Sequence, residues 1–376
     1  MWAMLVPEVD DSPQSNAVKV KKMITGIQVP EYKILKDVNV PVSEQLTVVV
    51  GPNGSGKSTL LSSIKSVTSG LAPASQKFRG FIRIKGLTPP LFPQNEAWIE
   101  CVASRGETGQ IAWEINGRQR TQFDGHHQKC IQDMLRPRFL KLSAESASRV
   151  SYTEAVTPVL GDDGANLASV IGGYLKSGRT DIVDSITTSL KGLVPQIHRI
   201  WVENASLERE ETEIISVGPS QYPVTRTKSY WGERLMFDTW SYKGLPAHEM
   251  SEGTILATAL LTLLHGENPP NLLLMDDIDK GLHPRAIASL VEILRGIMEQ
   301  RPDLQIIATT HSPYLLDQIP VESVICMHVA DDGYARAKPL TDHPEYPRWK
   351  GVMTAGEFWG TMGDEWVTRD EKAVAQ

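Results

Sequence analysis

The chain has 376 residues, 41% of them hydrophobic, so it is long enough to form one large domain or two of ordinary size around a substantial core. Its net charge of −7 argues against a protein that coats nucleic acid over its whole surface, although a local basic stripe is compatible with that charge. Its three cysteines have no paired spacing and its apolar runs are too short to span a bilayer, which predicts a cytoplasmic protein with no disulfide framework, zinc site or membrane partner.

The N-terminal part of the chain predicts a leader followed by a small sheet. Residues 1–16 combine acidic residues, serine and proline and are expected to form a flexible leader. Between residues 18 and 42, short β-like runs are separated by glycine and proline, as in a small antiparallel sheet. The apolar, β-branched run 46–50 then predicts a buried strand, and a helix is expected from Lys57 to about Val67.

The residues between that strand and that helix form the strongest motif of the chain. The sequence from Gly51 to Thr59 fits the P-loop pattern, and the order of strand, glycine-rich turn and helix is the context that a P-loop requires. In such a loop, backbone N–H groups point into one cavity, and the helix dipole adds positive charge there. We expect Lys57 to reach the β- and γ-phosphates of ATP and the Ser58 hydroxyl to be a Mg²⁺ ligand. The predicted nucleotide-binding residues of the loop are Asn53, Gly54, Ser55, Gly56, Lys57, Ser58 and Thr59.

Two segments follow the P-loop helix before the α/β pattern resumes. Residues 78–123 alternate in strand fashion, with a hairpin turn expected at Asn116-Gly117, and complete an N-terminal lobe, 17–125. The segment 126–245 is interpreted as an inserted α+β lobe. Its glycines and prolines exclude a long coiled coil, so we expect a compact lobe that rests on the core and offers a partner surface at Lys176 and Arg179. The patterns predict helices near 165–176 and 180–192 and strands at 197–204, 211–217 and 227–239.

The C-terminal part of the chain predicts a second lobe, 246–340, and a tail, 341–376. Helical and apolar patterns alternate along this lobe, as in an α/β sheet. Trp231, Trp240 and Trp359 are interpreted as packing residues. The expected elements of the lobe are a helix near 252–265, a strand at 271–276, a helix at 284–299, and strands at 304–310 and 322–329.

Three motifs in this second lobe carry chemistry. The apolar run 272–275 ends in two carboxylates, of which Asp276 is expected to hold Mg²⁺ and Asp277 to orient or deprotonate the attacking water. Ser251 and Gly253 stand at the start of a predicted helix, where free N–H groups form a second anion-binding end that requires a partner subunit's nucleotide. His311 follows a buried strand and is expected at the γ-phosphate edge of the sheet.

Together these motifs resemble the ABC class of ATPases, and within it the RecF, Rad50 and OLD-type branch. The resemblance implies an α/β ATPase head of two lobes that binds ATP and Mg²⁺ and dimerises head to tail, or forms a higher oligomer, around two nucleotides. Lys57, Asp277 and His311 would be its catalytic residues. The resemblance rests on Gly51 to Thr59, Met250 to Thr254 as the signature, Asp276-Asp277, Lys280 to Pro284 as the D-loop, and Thr310 to Pro313 as the switch segment.

The sequence departs from the family pattern at three places. The catalytic carboxylate is usually glutamate, and Asp277 is one methylene shorter, which favours slow hydrolysis. The signature reads Ser251-Glu-Gly-Thr254 instead of the Ser-Gly-Gly-Gln of transporters. The best candidate for a lobe-connecting glutamine is Gln94, with an ordinary surface loop as the alternative.

The resemblance favours a regulatory or DNA-linked ATPase in DNA repair or anti-phage defence that acts on a separately encoded effector, with a nuclease as the leading candidate. OLD-type proteins append a nuclease domain, and the tail of this sequence contains none. A transporter's nucleotide-binding subunit is an alternative, opposed by the altered signature and the long insertion. A nucleotide-dependent scaffold of low turnover is a third reading, kept open by Asp277. Nucleic acid could bind along basic clusters such as 136–141, although a solvated face explains any one cluster as well.

Overall fold

The computed structural model describes residues 23–69, 78–85, 96–103, 110–115, 118–120, 125–155, 157–217 and 220–369. The expected leader, Gln94 and the Asn116-Gly117 turn lie outside these ranges. The strands are β1 (Met23–Tyr32), β2 (Leu35–Pro41), β3 (Leu46–Val50), β4 (Phe78–Lys85), β5 (Glu96–Ala103), β6 (Gln110–Ile115), β7 (Arg118–Arg120), β8 (Pro137–Leu140), β9 (Ile197–Val217), β10 (Ser220–Thr239), β11 (Leu245–Pro246), β12 (Leu272–Met275), β13 (Gln305–Thr309), β14 (Val324–Val329) and β15 (Ala335–Pro339). The α-helices are α1 (Lys57–Ser69), α2 (Gly125–Leu135), α3 (Ala144–Ala147), α4 (Leu167–Lys176), α5 (Thr180–Leu193), α6 (Glu252–His265), α7 (Pro284–Gln300), α8 (Pro313–Leu316), α9 (Tyr346–Trp349) and α10 (Ala355–Met362).

One half of the main sheet is parallel and carries the ends that bear the motifs. Strands β8, β12, β13, β3 and β14 pair in that order, each parallel to its neighbour. All residues of β3, β12 and β13 are buried, which explains their continuous apolar or β-branched sequences. Because parallel strands end at the same edge of a sheet, the residues that follow β3, β8, β12 and β13 meet there.

The other half of the sheet is antiparallel. It runs through β7, β6, β5, β4, β1 and β2, and β15 joins β2 to β14. Side chains on the two sheet faces belong to two core clusters, one around α1 and one around α4 to α8. The expected mixed α/β fold is confirmed, and the described residues contain no long coiled coil. None of the helices in the described ranges combines the length and apolarity needed to cross a bilayer.

The insertion differs from the lobe that the sequence predicted. Strand β8 pairs with β12 inside the main sheet, so the first residues assigned to the insertion belong to the core. Helices α4 and α5 lie where expected, but the three predicted strand stretches are two long strands that form one antiparallel hairpin. We call residues 206–214 and 222–231 of this hairpin the arm, and every one of them is exposed or half-buried. The insertion is therefore not compact along the arm.

Cross-strand charges explain why the strands continue through a polar segment. Lys228 on β10 lies 3.1 Å from Glu211 and 2.6 Å from Glu213 on β9. Opposite charges across an antiparallel pair stabilise the ladder where no core covers it. The gap between the strands predicted at 197–204 and 211–217 is part of one continuous strand.

A buried carboxylate holds the base of the hairpin. Glu233 is 7% exposed, accepts a hydrogen bond from Ser169 Oγ (3.0 Å) and is paired with Lys176. Lys176 thus has a partner within the chain, and Arg179 is paired with Asp181 and Glu267. Both side chains stay partly exposed, Lys176 at 65% and Arg179 at 42%, so the partner surface proposed for them remains a prediction. The packing interpretation is also wrong for two tryptophans: Trp231 is 76% exposed and Trp240 is 68% exposed, whereas Trp359 packs against the core.

Candidate nucleotide-binding site

The P-loop has the geometry of a phosphate cradle. Lys57 is the first residue of α1, and its Nζ lies 2.8 Å from the carbonyl oxygen of Gly51 and 2.9 Å from that of Pro52. Gly51 has a φ of 148°, and a Cβ there would lie 2.3 Å from the carbonyl oxygen of Met327, so only glycine fits. Burial lowers the pKa of Lys57, and the charges of Asp277 and Asp276 oppose that change.

The remaining loop residues leave polar groups for a ligand. Ser55 is fully buried, yet its Oγ has no hydrogen-bond partner among the described residues. Asn53 and Gly54 are exposed, and no atom lies within 4 Å of where a Cβ of Gly54 would stand. A loop with open backbone and an unpartnered hydroxyl fits the phosphates of a nucleotide.

The two carboxylates predicted after β12 begin with Asp276, which contacts the P-loop helix directly. Ser58 Oγ lies 2.7 Å from Oδ2 and 2.9 Å from Oδ1 of Asp276, and Thr309 Oγ1 donates to Oδ1 at 2.8 Å. A hydroxyl and a carboxylate in contact suit Mg²⁺, which keeps several water ligands and takes only one or two protein side chains beside phosphate oxygens. Ser58 and Asp276 are the residues that would hold the ion.

Backbone conformation explains the aspartate at the catalytic position. Asp277 has a φ of 52°, and its N–H donates to Thr309 Oγ1 at 2.8 Å. Aspartate and asparagine populate this left-handed region several-fold more often than other residues with a Cβ. The turn therefore favours the shorter acid, while placing it one residue beyond the carboxylate that would bind the metal.

A third carboxylate, Asp279, contacts the predicted switch segment through Thr310. Thr310 Oγ1 donates to Asp279 Oδ1 at 2.7 Å and accepts from the N–H of Ser312 at 2.9 Å. Burial raises the pKa of Asp279, the bond from Thr310 lowers it, and His311 also lowers it. His311 itself is exposed at the edge where β13 ends.

One site residue was missed by the sequence motifs. Lys141 follows β8 immediately, and its Nζ lies 3.5 Å from Oδ2 of Asp276 with 70% of the side chain exposed. Its backbone N–H donates to the carbonyl oxygen of Asp162, whose carboxylate pairs with Lys65 of α1 at 2.9 Å. A basic cluster at 136–141 was visible in the sequence, but only the pairing of β8 with β12 places one of its cations in the site.

The residues of the predicted signature form the N-terminal end of α6. Ser251 caps α6, its Oγ accepts the N–H of Thr254 at 3.3 Å, and the residue is exposed. Gly253 packs on the D-loop so closely that a Cβ would lie 2.4 Å from the carbonyl oxygen of Gly281. Glu252 adds an ion pair with Lys280 at 3.0 Å. The structure thus brings Lys57, Ser58, Asp276 and Asp277 together and fastens Ser251 and Gly253 to the D-loop.

Comparisons with known proteins find related domains in two parts of the chain. Residues 27–128 match a family profile described as an AAA domain, and residues 194–317 match one described as "AAA domain, putative AbiEii toxin, Type IV TA system". The chain is 30% identical over 111 residues to the Septu protein PtuA of Bacillus thuringiensis and 39% identical over 57 residues to the OLD nuclease of Thermus scotoductus. Together these matches support an ABC-class ATPase of the Rad50/OLD-like, defence-associated type.

Solved structures of SMC heads share the fold of this chain. A crystal structure of an SMC head bound to the C-winged helix domain of ScpA matches with a TM-score of 0.54 at 16% identity, covering 84% of this chain and 96% of the head. A Pyrococcus furiosus SMC head with an extended coiled coil also gives 0.54, at 14% identity and the same coverage. The curated relatives match less completely, because the aligned segments cover 27% of this chain and 27% of the Septu protein, and 15% of this chain and 11% of the OLD nuclease.

Proposed function

We propose that this chain hydrolyses ATP with Mg²⁺ and dimerises head to tail, so that each nucleotide lies between the P-loop of one subunit and the signature of the other. In each site Lys57 would offset the charge of the β- and γ-phosphates, and Ser58 and Asp276 would hold the metal. Asp277 would orient the attacking water, and His311 would contact the γ-phosphate edge. Ser251 and Gly253 of the second subunit would close the site.

One observation supports this proposal: two ends suited to anions are linked by one close backbone contact. The P-loop with Asp276 is the first end, and the N-terminus of α6 at Ser251 is the second. The backbone contact of Gly253 with Gly281 couples the second end to the loop that begins at Asp277. A subunit that uses both ends can therefore transmit the closing of one site to the carboxylate of the other.

We further propose that ATP-dependent closing regulates a separate effector protein, with a nuclease as the leading candidate. Similarity to defence-associated proteins supports this proposal, since the matched relatives include a Septu protein and an OLD nuclease. Closing shifts populations only because the γ-phosphate contacts both subunits and ADP lacks that group. Purification of the chain from its native operon, with mass measurement, tests whether an effector binds. If the chain elutes alone when it is coexpressed with each neighbouring gene product, the proposal is contradicted.

Mixing two inactive variants tests the shared site. Lys57→Ala damages the P-loop half and Ser251→Arg damages the signature half, so a mixed dimer contains about one intact composite site and should regain partial activity. A disulfide between Asn53→Cys and Ser251→Cys, after Cys101 and Cys130 are replaced by serine, should form between subunits only with ATP. Position 53 is used because Gly54 has a φ of 79°, which a side chain would strain. If the mixtures stay inactive and no disulfide forms between subunits, the head-to-tail dimer is rejected.

A further inference from the structure

A rigid turn beside the signature presents two exposed aromatic rings. The turn follows β10, where Thr239 N donates to the carbonyl oxygen of Tyr242 (2.7 Å) and Tyr242 N donates to Thr239 Oγ1 (3.1 Å). Trp240 N donates to the carbonyl oxygen of Gln196 at 3.1 Å, and Gly244 N donates to Asp238 Oδ1 at 2.8 Å. The backbone is therefore held in place before any partner arrives.

The rings themselves are not covered within the chain. Trp240 is 68% exposed and Tyr242 is 67% exposed, and the ring of Trp240 lies 5.9 Å from that of His198. Large aromatic side chains on rigid, solvent-facing segments are typical of protein interfaces, where they supply contact area at a small cost in conformational entropy. Such a pair on a hydrogen-bonded turn indicates a surface that another protein covers.

The turn lies beside the predicted signature, and this position indicates which surface would cover the two rings. Both rings line an open cavity of about 310 Å³, and Ser251 and Thr254 of the signature line the same cavity. Any surface that closes on Ser251 must therefore also approach the two rings. In the proposed head-to-tail dimer that surface is the P-loop face of the second copy.

Charge also fits this partner. The cavity includes exposed Glu249, and the faces of the two rings carry negative electrostatic potential. On the P-loop face, Lys33 is exposed in the turn between β1 and β2, next to residues that pack beside Gly56. Its Nζ lies 5.2 Å from the centre of the Tyr32 ring, so it already faces one aromatic ring of its own subunit. A cation placed over an aromatic ring contributes more as the pair is removed from water.

We propose that Trp240 and Tyr242 are interface residues of the ATP-bound dimer and are buried against the P-loop face of a second copy of this chain. This inference rests on the proposed head-to-tail dimer and adds the side chains that hold it. Interface aromatics of this kind weaken association about tenfold or more when truncated. Among the described residues, Trp240 and Tyr242 are not paired with any residue of the P-loop or with Asp276, so ATP binding by a single subunit should not depend on them.

Trp240→Ala and Tyr242→Ala test this inference against Trp231→Ala, which removes an equally exposed tryptophan from the arm of the same hairpin. Sedimentation velocity with ATP and Mg²⁺ measures dimerisation, and a fluorescent ATP analogue measures nucleotide binding by the monomer. We expect dimerisation to weaken about tenfold or more in both turn variants and to be unchanged in the arm variant, with nucleotide binding retained in all three.

Acrylamide quenching of tryptophan fluorescence provides a second measurement that needs no disruptive variant. ATP should protect the wild type from quenching, and Trp240→Phe should lose that protection while it still dimerises. If the wild type dimerises, either of two results overturns this inference alone. One is that the turn variants dimerise as tightly as the wild type, and the other is that Trp231→Ala weakens dimerisation as much as the turn variants do. If the wild type stays monomeric with ATP at every concentration, the inference and the proposed function are both overturned.

Discussion

Ser58 and Asp276, 218 positions apart in the chain, are in direct hydrogen-bond contact across the site. The contact joins the first turn of the P-loop helix to the end of strand β12, and it occupies the oxygen atoms that a magnesium ion would need. Metal binding is therefore expected to replace a hydrogen bond that already aligns both ligands, so little rearrangement of the backbone is required.

Lys57→Ala and Asp277→Asn should separate nucleotide binding from hydrolysis. The first variant removes the ammonium that offsets phosphate charge and should abolish ATP binding. The second keeps a residue type that tolerates the φ of 52° and should bind ATP but release no phosphate. Binding of a fluorescent ATP analogue and phosphate release measure the two steps. Undiminished hydrolysis by Asp277→Asn would assign the orientation of water to another group.

Lys141→Met should increase the apparent affinity for Mg²⁺ in ATP hydrolysis. The ammonium lies 3.5 Å from Asp276 and is 70% exposed, so it competes with the metal for that carboxylate through a screened ion pair. Exposed pairs contribute about 0.2–1 kcal/mol, which corresponds to at most about a fivefold change in the half-saturating Mg²⁺ concentration.

Lys65→Met is the matched control for Lys141→Met, because Lys65 pairs with Asp162 at 2.9 Å rather than with Asp276. The effect of Lys141→Met should fade at high salt, since the pair is solvated. A Mg²⁺ dependence identical to that of the wild type at low salt would remove Lys141 from the site.

Gly253→Ala should destabilise the second lobe, although glycine-to-alanine changes in helices usually stabilise. A Cβ at 253 would lie 2.4 Å from the Gly281 carbonyl oxygen, so the signature and D-loop must separate at a cost of about 1–3 kcal/mol. Gly296→Ala in α7 has no atom within 4 Å of its Cβ and should stabilise by about 0.4–1 kcal/mol. Chemical denaturation compares the two, and equal stabilisation would show that the signature is free of the D-loop.

Asp279→Asn should change how stability depends on pH. Burial raises the folded-state pKa of Asp279 above its usual 3.8, so the folded state binds the proton more tightly than the unfolded state. The stability that this proton provides is present below that value and is lost as pH rises through the folded-state pKa. Asparagine keeps an acceptor for Thr310 without the charge, so the variant should gain stability relative to the wild type as pH is raised above about 4. Thermal midpoints across this range test the sign.

Arg226→Glu and Arg348→Glu should distinguish two surfaces for the effector. Arg226 lies on the arm, 3.9 Å from Glu213, and Arg348 lies in the tail, 3.7 Å from Glu345. If the arm is the partner surface, only the first change weakens effector capture, and ATPase activity stays nearly unchanged in both. Loss of capture with Arg348→Glu alone would move the surface to the tail.

Local motifs explain why so much of the second lobe could be predicted from the sequence. The helix predicted at 252–265 is α6, and the strand before Asp276 lies within one residue of its expected bounds, because an N-cap serine and a continuous apolar run are unambiguous signals. The P-loop is equally local, and its residues lie where its motif requires.

Features that depend on contacts between distant residues could not be predicted. Lys141 enters the site only because β8 pairs with β12. The arm was divided into short strands because its core-free part lacks the apolar alternation by which strands are recognised, while its cross-strand ion pairs appear only once the register is known. Trp240 was predicted to be a packing residue because tryptophan side chains are usually largely buried in folded proteins. The structure instead places it, exposed, in the turn at 239–242.

The hairpin has a mechanical consequence. Ala205 is the last buried residue of β9 among those whose burial is described, and from it the strand continues to Val217, a length of about 40 Å at roughly 3.3 Å per residue. Glu233 clamps its base to α4, which packs against the signature helix α6. A rotation of only about 5° at this clamp would sweep the far end through roughly 3–4 Å, given that length. In the proposed dimer the arm would act as a lever, with its short end beside α6, the helix proposed to meet the partner's nucleotide, and its long end in solvent.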